Sequence, residues 1–292
     1  MVTVGMFDGV HLGHRHIVDR LGNEADARGL TPVVVTFDRH PRMVLGHTDG
    51  GFGLLSTTQE RLKLLDEAGA KTVVVLDFTP QLAALSTCDF AEQVLYHQLG
   101  AQALLLGYDN QFGSKRVADF DRLPQRAASL GIELVNDSPL VVDNIAVSST
   151  QVRSALANGD IALANRMLGR HYELGGVVTT GRQVGRTIGF PTANLVADDF
   201  KAVPLNGVYA TLADIEGATF PAMTNIGPQP TFGTGHDTIE IHLIGFRGDL
   251  YNRRLTVRFV ARLRNTQQFD SAQALASQLE LDRQLTIKLC RQ

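Results

Sequence analysis

Up to about Arg170 the chain repeats one construction: a short run of β-branched and leucine residues, then an amphipathic stretch, then another run. The runs are Val2 to Val4, Pro32 to Phe37, Thr72 to Leu76, Ala103 to Leu106 and Ile132 to Val135. Continuous apolar runs suit strands covered on both faces, and their alternation with helical patterns argues for a parallel sheet. Gly29 to Pro32 and Gly69 to Thr72 supply helix-to-strand turns, where glycine takes the left-handed conformation that ends a helix. From about His171 the rhythm changes. Short strands punctuated by Gly, Pro and Asn, at Leu174 to Thr180, Gly207 to Ala213, Glu240 to Leu243 and Leu255 to Leu263, predict a small antiparallel β-barrel. Asp270 to Cys290 has no Gly or Pro and carries Leu275, Leu279, Leu285 and Leu289, so it reads as a helix closing the barrel, with a break near Asp282 as the alternative to one continuous run. Gln151 to Leu168 reads as a helix pair joining the parts. The 292 residues exceed a typical domain of ~100 to 150, so the expected class is α/β plus β, in two domains.

Charge narrows the partners. Lys and Arg number 27 against 30 Asp and Glu, a net charge of −3. Neither part is lopsided, with 15 basic against 19 acidic residues through Tyr172 and 12 against 11 beyond it. No basic field advertises nucleic acid or an anionic membrane, so any phosphate must be bound locally. Cys88 and Cys290 form neither a CxxC pair nor a disulfide ladder, which suits a reducing compartment. The opening reaches Asp8 before any signal-peptide apolar region, and no stretch approaches the ~20 apolar residues of a membrane helix. A soluble, cytoplasmic protein is the expectation, its oligomeric state left open.

The first segment that carries chemistry is Val4-Gly5-Met6-Phe7-Asp8-Gly9-Val10-His11-Leu12-Gly13-His14. A strand running through a glycine-containing turn into a helix exposes backbone N–H groups at the positive end of the helix dipole, which favours anions. His11 and His14, three apart, share a helical face and can hydrogen-bond the oxygens of one polyphosphate, while Gly9 and Gly13 let the backbone come close. The plainer reading has His11 capping the turn and His14 on the helix surface. Spacing speaks against the competitors, since there is no GxGxxG, GxxxxGK[ST] or HExxH. Further on, Val147-Ser148-Ser149-Thr150-Gln151-Val152-Arg153 places hydroxyls at a helix start and an arginine one turn in. That is either an ordinary N-cap or a second anion site with a guanidinium fork for phosphate oxygens.

GMFDGVHLGH and VSSTQVR resemble the GxFDGVHxGH and SSTxxR signatures of the FAD synthetase (FMN adenylyltransferase) module of bifunctional bacterial riboflavin kinase/FAD synthetases. Thr36-Phe37-Asp38-Arg39-His40-Pro41 is similar to that family's TFDPHP, and Gly107-Tyr108-Asp109-Asn110-Gln111-Phe112-Gly113 to its GxDFxFG. The resemblance implies a Rossmann-like nucleotidylyltransferase domain over 1–170, in which the FMN phosphate attacks the α-phosphorus of ATP to give FAD and pyrophosphate. It also implies that His11 and His14 stabilise the developing charge and that Ser148, Ser149, Thr150 and Arg153 hold the β and γ phosphates. Gly5, Phe7, Asp8, Gly9 and Gly13 would line the ATP site, with Asp109 and Asn110 at the flavin. Such a transfer needs positioning and charge stabilisation more than covalent participation.

In the β-rich part, Gly181 to Asn194 combines glycine-rich turns, basic residues and the oxygen-bearing Thr192 and Asn194. Mg2+ prefers oxygen ligands and usually keeps waters and nucleotide phosphates; a pair of tight turns in which Asn194 stabilises its own loop is equally open. On Ile239-Glu240-Ile241-His242-Leu243 the apolar residues point one way and Glu240 and His242 the other. A carboxylate there can take a proton from an attacking alcohol, although a lone strand glutamate most often faces solvent. GRTIGFPTANL, Asn206 to Ala210, Asn225-Ile226-Gly227, IEIHLIGF and Gly248 to Tyr251 are similar, in that order, to the riboflavin kinase module. That resemblance implies a riboflavin kinase-like barrel over 171–292. Gly181, Gly185, Arg186, Thr187, Gly189 and Pro191 would form the nucleotide loop, with Thr192 and Asn194 at the Mg2+–ATP site. Glu240 would be the base for the ribityl 5′-hydroxyl, and Arg264 and Phe269 would lie near the flavin. Riboflavin, FMN and ATP are the implied substrates, Mg2+ the cofactor, FMN and FAD the products.

The match runs the length of the chain, with departures. Met6 stands where the family most often has Asn, Arg39 where it has Pro, Asn110 where GxDFxFG has Phe, and Thr266 where Glu is common. The first three touch the adenylyltransferase flavin pocket. Three readings therefore stay open: a bifunctional enzyme, a riboflavin kinase with a weak or altered first domain, and a non-catalytic flavin-binding protein.

Overall fold

Each of the five apolar runs is a strand: β1 (Val2–Val4), β2 (Val33–Phe37), β3 (Val73–Leu76), β4 (Ala103–Leu106) and β5 (Glu133–Asn136). They pair in parallel in the order β3-β2-β1-β4-β5. The computed structural model describes residues 1–46, 52–107, 112, 120–180, 189–198, 200–228 and 237–291, and divides into two compact units, Met1–Ser149 and Thr150–Gln292.

In the first unit the strands are joined through α1 (Leu12–Ala27), α2 (Pro41–Val44), α3 (Thr58–Glu67), α4 (Pro80–Ala84), α5 (Thr87–Phe90), the π-helical α6 (Ala91–Gln98) and α7 (Leu123–Ser129). Alternate residues of the central strands serve opposite faces. Val34, Ala103 and Leu105 pack with Val18, Leu21 and Leu65, while Val35, Leu104 and Leu106 pack with Phe90, Val94 and Leu95. Burying one such side chain contributes roughly 1.5–3 kcal/mol, and that two-sided demand is why the central runs are predominantly apolar. The expected turns form, with Gly29 at φ +64° and Gly69 at φ +86°. Because β2 and β3 lie to one side of β1 and β4 and β5 to the other, the carboxyl ends of β1 and β4 flank the switch point where open α/β sheets bind ligands. A hairpin, β6 (Val141–Val142) and β7 (Ile145–Ala146), precedes α8 (Ser149–Ala157) and α9 (Ile161–Leu168), the anticipated helix pair.

The second unit takes in α8 from Thr150 onward and α9, and after them a closed barrel of β8 (Tyr172–Thr179), β9 (Ala193–Ala197), β10 (Gly207–Ile215), β11 (Ala218–Pro228), β12 (Asp237–Leu243) and β13 (Arg254–Arg264). Its order is β10-β11-β12-β9-β8-β13, with β13 returning to β10. Leu174, Val178, Ile239, Ile241, Val257 and Phe259 are buried and fill it. Two of the strands are not announced by the sequence. β9 begins at the last two residues of the stretch read as turns, and β11 contains Pro221, Asn225 and Gly227. The final helix, α10 (Ala272–Leu289), is continuous, which corrects the alternative of a break near Asp282. That acid is buried because Arg264 of β13 meets it with Nε at 2.9 Å and Nη2 at 2.8 Å, and Gln278 donates to it at 2.9 Å. Cys88 and Cys290 are half-buried thiols. Among the described residues no helix is long and apolar enough to cross a membrane.

Candidate functional site

The turn after β1 is held in a conformation few sequences adopt. Phe7, Gly9 and Val10 all have positive φ, at 51°, 79° and 37°, and a Cβ on Gly9 would lie 2.8 Å from the Leu55 side chain. Asp8 makes this possible. Its carboxylate is 1% exposed and accepts from the N–H of Leu55 at 3.0 Å, the N–H of Ser56 at 2.9 Å and the Ser56 hydroxyl at 3.0 Å, while the Gly9 N–H donates to that hydroxyl at 2.8 Å. The turn delivers the chain to the start of α1, where His11, 4% exposed, is the N-cap and its Nδ1 accepts from the His14 N–H at 3.3 Å. The two imidazoles stack with centroids 3.6 Å apart, and Phe7 tilts against His14 at 5.0 Å. His11 is thus the cap of the plainer reading and also one half of a paired-imidazole surface. Since its Nδ1 is an acceptor, the proton of the neutral ring sits on Nε2, which becomes a donor.

The second motif converges on the same place. A Cβ on Gly13 would stand 3.2 Å from the His11 ring and 3.3 Å from the Val147 carbonyl, so the glycine admits the segment carrying Ser148. The Ser149 hydroxyl donates to the Asp8 carbonyl at 2.9 Å, which anchors the first residue of α8. Thr150 and Arg153 follow in the first turn and a half of that helix. Gly5 is not in a left-handed conformation; a Cβ there would meet the Phe7 ring at 3.0 Å. Met6 packs against the core on one sheet face, and Arg39 is exposed with Nε 3.4 Å from Asp38. Asp109 and Asn110 lie outside the described residues.

On the barrel, register puts the polar residues in one row. Glu240 of β12 stands opposite Asn194 of β9 on one side and Asn225 of β11 on the other, and Asn194 stands opposite Thr179 of β8. Directly opposed residues have Cβ atoms ~4.5–5.5 Å apart, and Glu240, Asn194 and Asn225 are all half-buried. Two residues farther along β12, His242 Nδ1 lies 2.8 Å from the Pro191 carbonyl, with Phe190 against its ring at 5.3 Å. Burial pushes the His242 imidazole below its ordinary value, Arg283 adds to this, and the Pro191 carbonyl opposes it. The histidine therefore stays neutral and ties β12 to the loop that leads into Thr192 and Asn194. Gly189 takes φ +83° in that loop. Gly181, Gly185, Arg186 and Thr187 lie outside the described residues. Arg264 sits 5.8 Å over the Phe269 ring, its Nε and Nη2 occupied by Asp282. No cluster of three His, Cys, Asp or Glu able to hold a metal occurs among the described residues. The oxygen donors Thr192, Asn194 and Glu240 suit a small hard cation that arrives with phosphates.

Ser56, Arg61, Asn225 and His242 complete these surroundings without having stood out as site residues. Only the Thr57 to Glu60 capping box, which forms with the Glu60 N–H 3.2 Å from Thr57 Oγ1 and the Thr57 N–H 2.7 Å from Glu60, was a readable sign that α3 begins beside the first turn.

A helix start beside paired histidines at a sheet's switch point, and a barrel row of amides around a carboxylate, place this chain among two-module enzymes that work on phosphorylated nucleotides. Residues 1–151 match the family model of FAD synthetase and residues 168–290 that of riboflavin kinase. The chain is 40% identical over 289 residues to the bifunctional riboflavin kinase/FMN adenylyltransferase of Pseudomonas fluorescens, covering 97% of this chain and 90% of that one. Its counterpart in Bacillus subtilis is 32% identical over 292 residues, covering 99% and 92%, and that of Escherichia coli K12 34% identical over 283 residues, covering 97% and 90%. A crystal structure described as a macrolide-efflux protein from Streptococcus pneumoniae superposes with a TM-score of 0.83 at 30% identity, over 98% of this chain and 93% of that one. The chain belongs to the bifunctional riboflavin kinase/FMN adenylyltransferase family.

Proposed function

We propose that the chain runs consecutive reactions on one flavin. Residues 171–292 phosphorylate the ribityl 5′-hydroxyl of riboflavin with ATP, and residues 1–170 transfer AMP from a second ATP to the resulting FMN, releasing pyrophosphate. The reading is supported above all by the convergence of Asp8 to His14 with Val147 to Ser149, two segments far apart in sequence.

In the adenylyl transfer an FMN phosphate oxygen bonds to the α-phosphorus of ATP as the bond to pyrophosphate breaks, and no proton need move. His11 Nε2–H and the His14 ring face the charge that grows on the transferring group, held in place by the cap and the stack. Arg153 takes the β and γ phosphates with Ser148 and Thr150 and the N–H groups that open α8. Ser149 contributes by pinning that helix start to Asp8. Gly5, Phe7, Gly9 and Gly13 shape the ATP pocket, and Asp109 and Asn110 belong to the flavin side. In the kinase reaction Glu240 accepts the 5′-hydroxyl proton as that oxygen attacks the γ-phosphorus and ADP leaves. Thr192 and Asn194 would hold Mg2+, which when bound neutralises phosphate charge. Gly181, Gly185, Arg186, Thr187, Gly189 and Pro191 form the nucleotide loop, and Phe269, with Arg264 fixed behind it, borders the flavin. The enzyme works on small molecules in the cytoplasm.

The test is to incubate the protein with riboflavin, ATP and Mg2+ and to separate the flavins over time. The unaltered protein makes FMN that gives way to FAD. His14→Ala lets FMN accumulate and slows FAD formation by about 10²-fold or more, while Glu240→Gln stops FMN formation but still converts supplied FMN to FAD. Unchanged riboflavin with the unaltered protein, or full FAD formation by His14→Ala, would overturn the assignment.

A further inference from the structure

Arg61 is the largest fully buried side chain among the described residues, 1% exposed, and neither reaction as written above uses it. It stands at the first turn of α3. Its Nη2 donates to the carbonyl of Phe37, the last residue of β2, and lies 3.4 Å from the Thr58 hydroxyl. Its Nε has no hydrogen-bond partner among the described residues. Burying a guanidinium is expensive unless its charge is used, and an apolar side chain of similar volume fills such a space at less cost.

The backbone around it is already tied by other groups. Ser56 holds the turn after β1 through Asp8 and Gly9, and the Thr58 hydroxyl donates to the Asp38 carbonyl at 2.7 Å. What Arg61 adds is a positive charge. Burial pushes the Arg61 guanidinium below its ordinary value, and the charges of Asp8 and Asp38, which the start of α3 meets through Ser56 and Thr58, oppose that shift and favour its charged form. Those two carboxylates follow β1 and β2 at the carboxyl edge of the sheet, where both substrates of the proposed transfer are anions. Arg39 meets Asp38 only from the exposed side, with Nε at 3.4 Å, where solvent screens the pair, whereas the buried guanidinium of Arg61 offsets the field of the acids from within, where charges interact over several ångströms at a lower effective dielectric.

We propose that Arg61 is a positioning residue for adenylyl transfer that acts as the counter-charge to Asp8 and Asp38, so that this edge of the sheet admits ATP and FMN. The inference rests on the first unit adenylylating FMN. The experiment measures FAD formation from FMN at varied ATP, with riboflavin phosphorylation by the same preparation as an internal reference. Arg61→Met should lower kcat/KM for ATP about tenfold or more, carried mainly by KM, while riboflavin phosphorylation stays within twofold. Arg61→Lys should recover most of that loss. Asp38→Asn combined with Arg61→Met should also recover part of it, because removing one acid compensates for removing the base. A bracket with no charge role predicts the reverse, with the double variant worse than either single one and lysine no better than methionine. That result, or Arg61→Met with unchanged ATP dependence, overturns the inference and leaves the functional reading standing. Absence of FAD from the unaltered protein overturns both.

Discussion

Replacing Gly176 by alanine tests whether the spacing of β8 and β9 sets the geometry of the kinase row. A Cβ on Gly176 would lie 2.1 Å from the Val196 carbonyl oxygen, 2.8 Å from its carbon and 2.9 Å from the Ala197 Cα. Carbon–oxygen contacts across strands settle at ~3.3 Å or more, so the strands must part by roughly 1 Å, and every atom in the way is backbone. Overpacking of this kind costs about 1–3 kcal/mol, offset by ~0.5–1 kcal/mol from the stiffer unfolded chain. Because no flexible side chain can give way, the upper end of that cost applies, and the net expectation is a loss of about 2 kcal/mol, seen as a fall of roughly 4–8 °C in the melting midpoint of the barrel. β9 carries Asn194 opposite Glu240, and a displacement near 1 Å costs on the order of 10² in rate, so riboflavin phosphorylation should drop by that factor. The comparison is Gly175→Ala, whose Cβ would meet only the ends of side chains, Arg254 Nη2 at 3.0 Å, Asp198 Oδ2 at 3.2 Å and Thr256 Oγ1 at 3.4 Å. It should cost under ~1 kcal/mol. The reasoning fails if the two variants melt and turn over alike.

Asp282→Ala leaves Arg264, whose side chain is 18% exposed, without its carboxylate, and should cost about 3 kcal/mol in urea unfolding of the barrel; Asp282→Asn, which keeps the shape, should cost less, and equal midpoints for all three proteins would contradict the role given to this pair. Because the His242 imidazole is depressed from its ordinary value of 6.5, the unfolded chain binds the proton that the folded chain refuses. The stability it contributes is therefore complete above pH 6.5 and lost as pH falls below it, by at most about 1.4 kcal/mol per pH unit. His242→Gln should flatten the stability profile between pH 6.5 and 5, with His171, lowered by burial and by Arg258, still contributing; an unchanged slope would count against the buried neutral state.

The central strands β1, β2 and β4 were readable because a sheet covered on both faces favours apolar residues at successive positions, and the edge strands β3 and β5, less buried, still carry short apolar runs. β9 was hidden by its surroundings, since its five residues follow directly on a glycine- and proline-rich stretch, although Ala193, Leu195 and Ala197 alternate with Asn194 as a half-buried strand requires. β11 was hidden by Pro221, which stands opposite Leu212 within a paired strand. A helix running on through Asp282 buries an acid, which ordinarily is not done, and Arg264, eighteen residues away in sequence and adjacent in space, makes it possible. The site was legible where it consists of contiguous motifs. His11 and His14 declared themselves by spacing, whereas Ser56, which holds the turn after β1, and Arg61, which meets the end of β2, come from around the start of α3, whose capping box marks where the helix begins but not what it packs against.

The central place of β1 also bears on how the chain is made. Thr3 donates through its hydroxyl to the Leu105 carbonyl, a partner 102 residues later in sequence, and Val2 and Thr3 pair with Leu104 and Leu105. At synthesis rates of ~5–20 residues per second, the interval between the two strands is about 5–20 s. Throughout it one edge of β1 is an unpaired template, open to association with a neighbouring nascent chain. The sheet that supports the first site therefore passes, while the chain is being made, through a window in which β1 lacks its later partner and protection from misassociation counts alongside the stability of the finished domain.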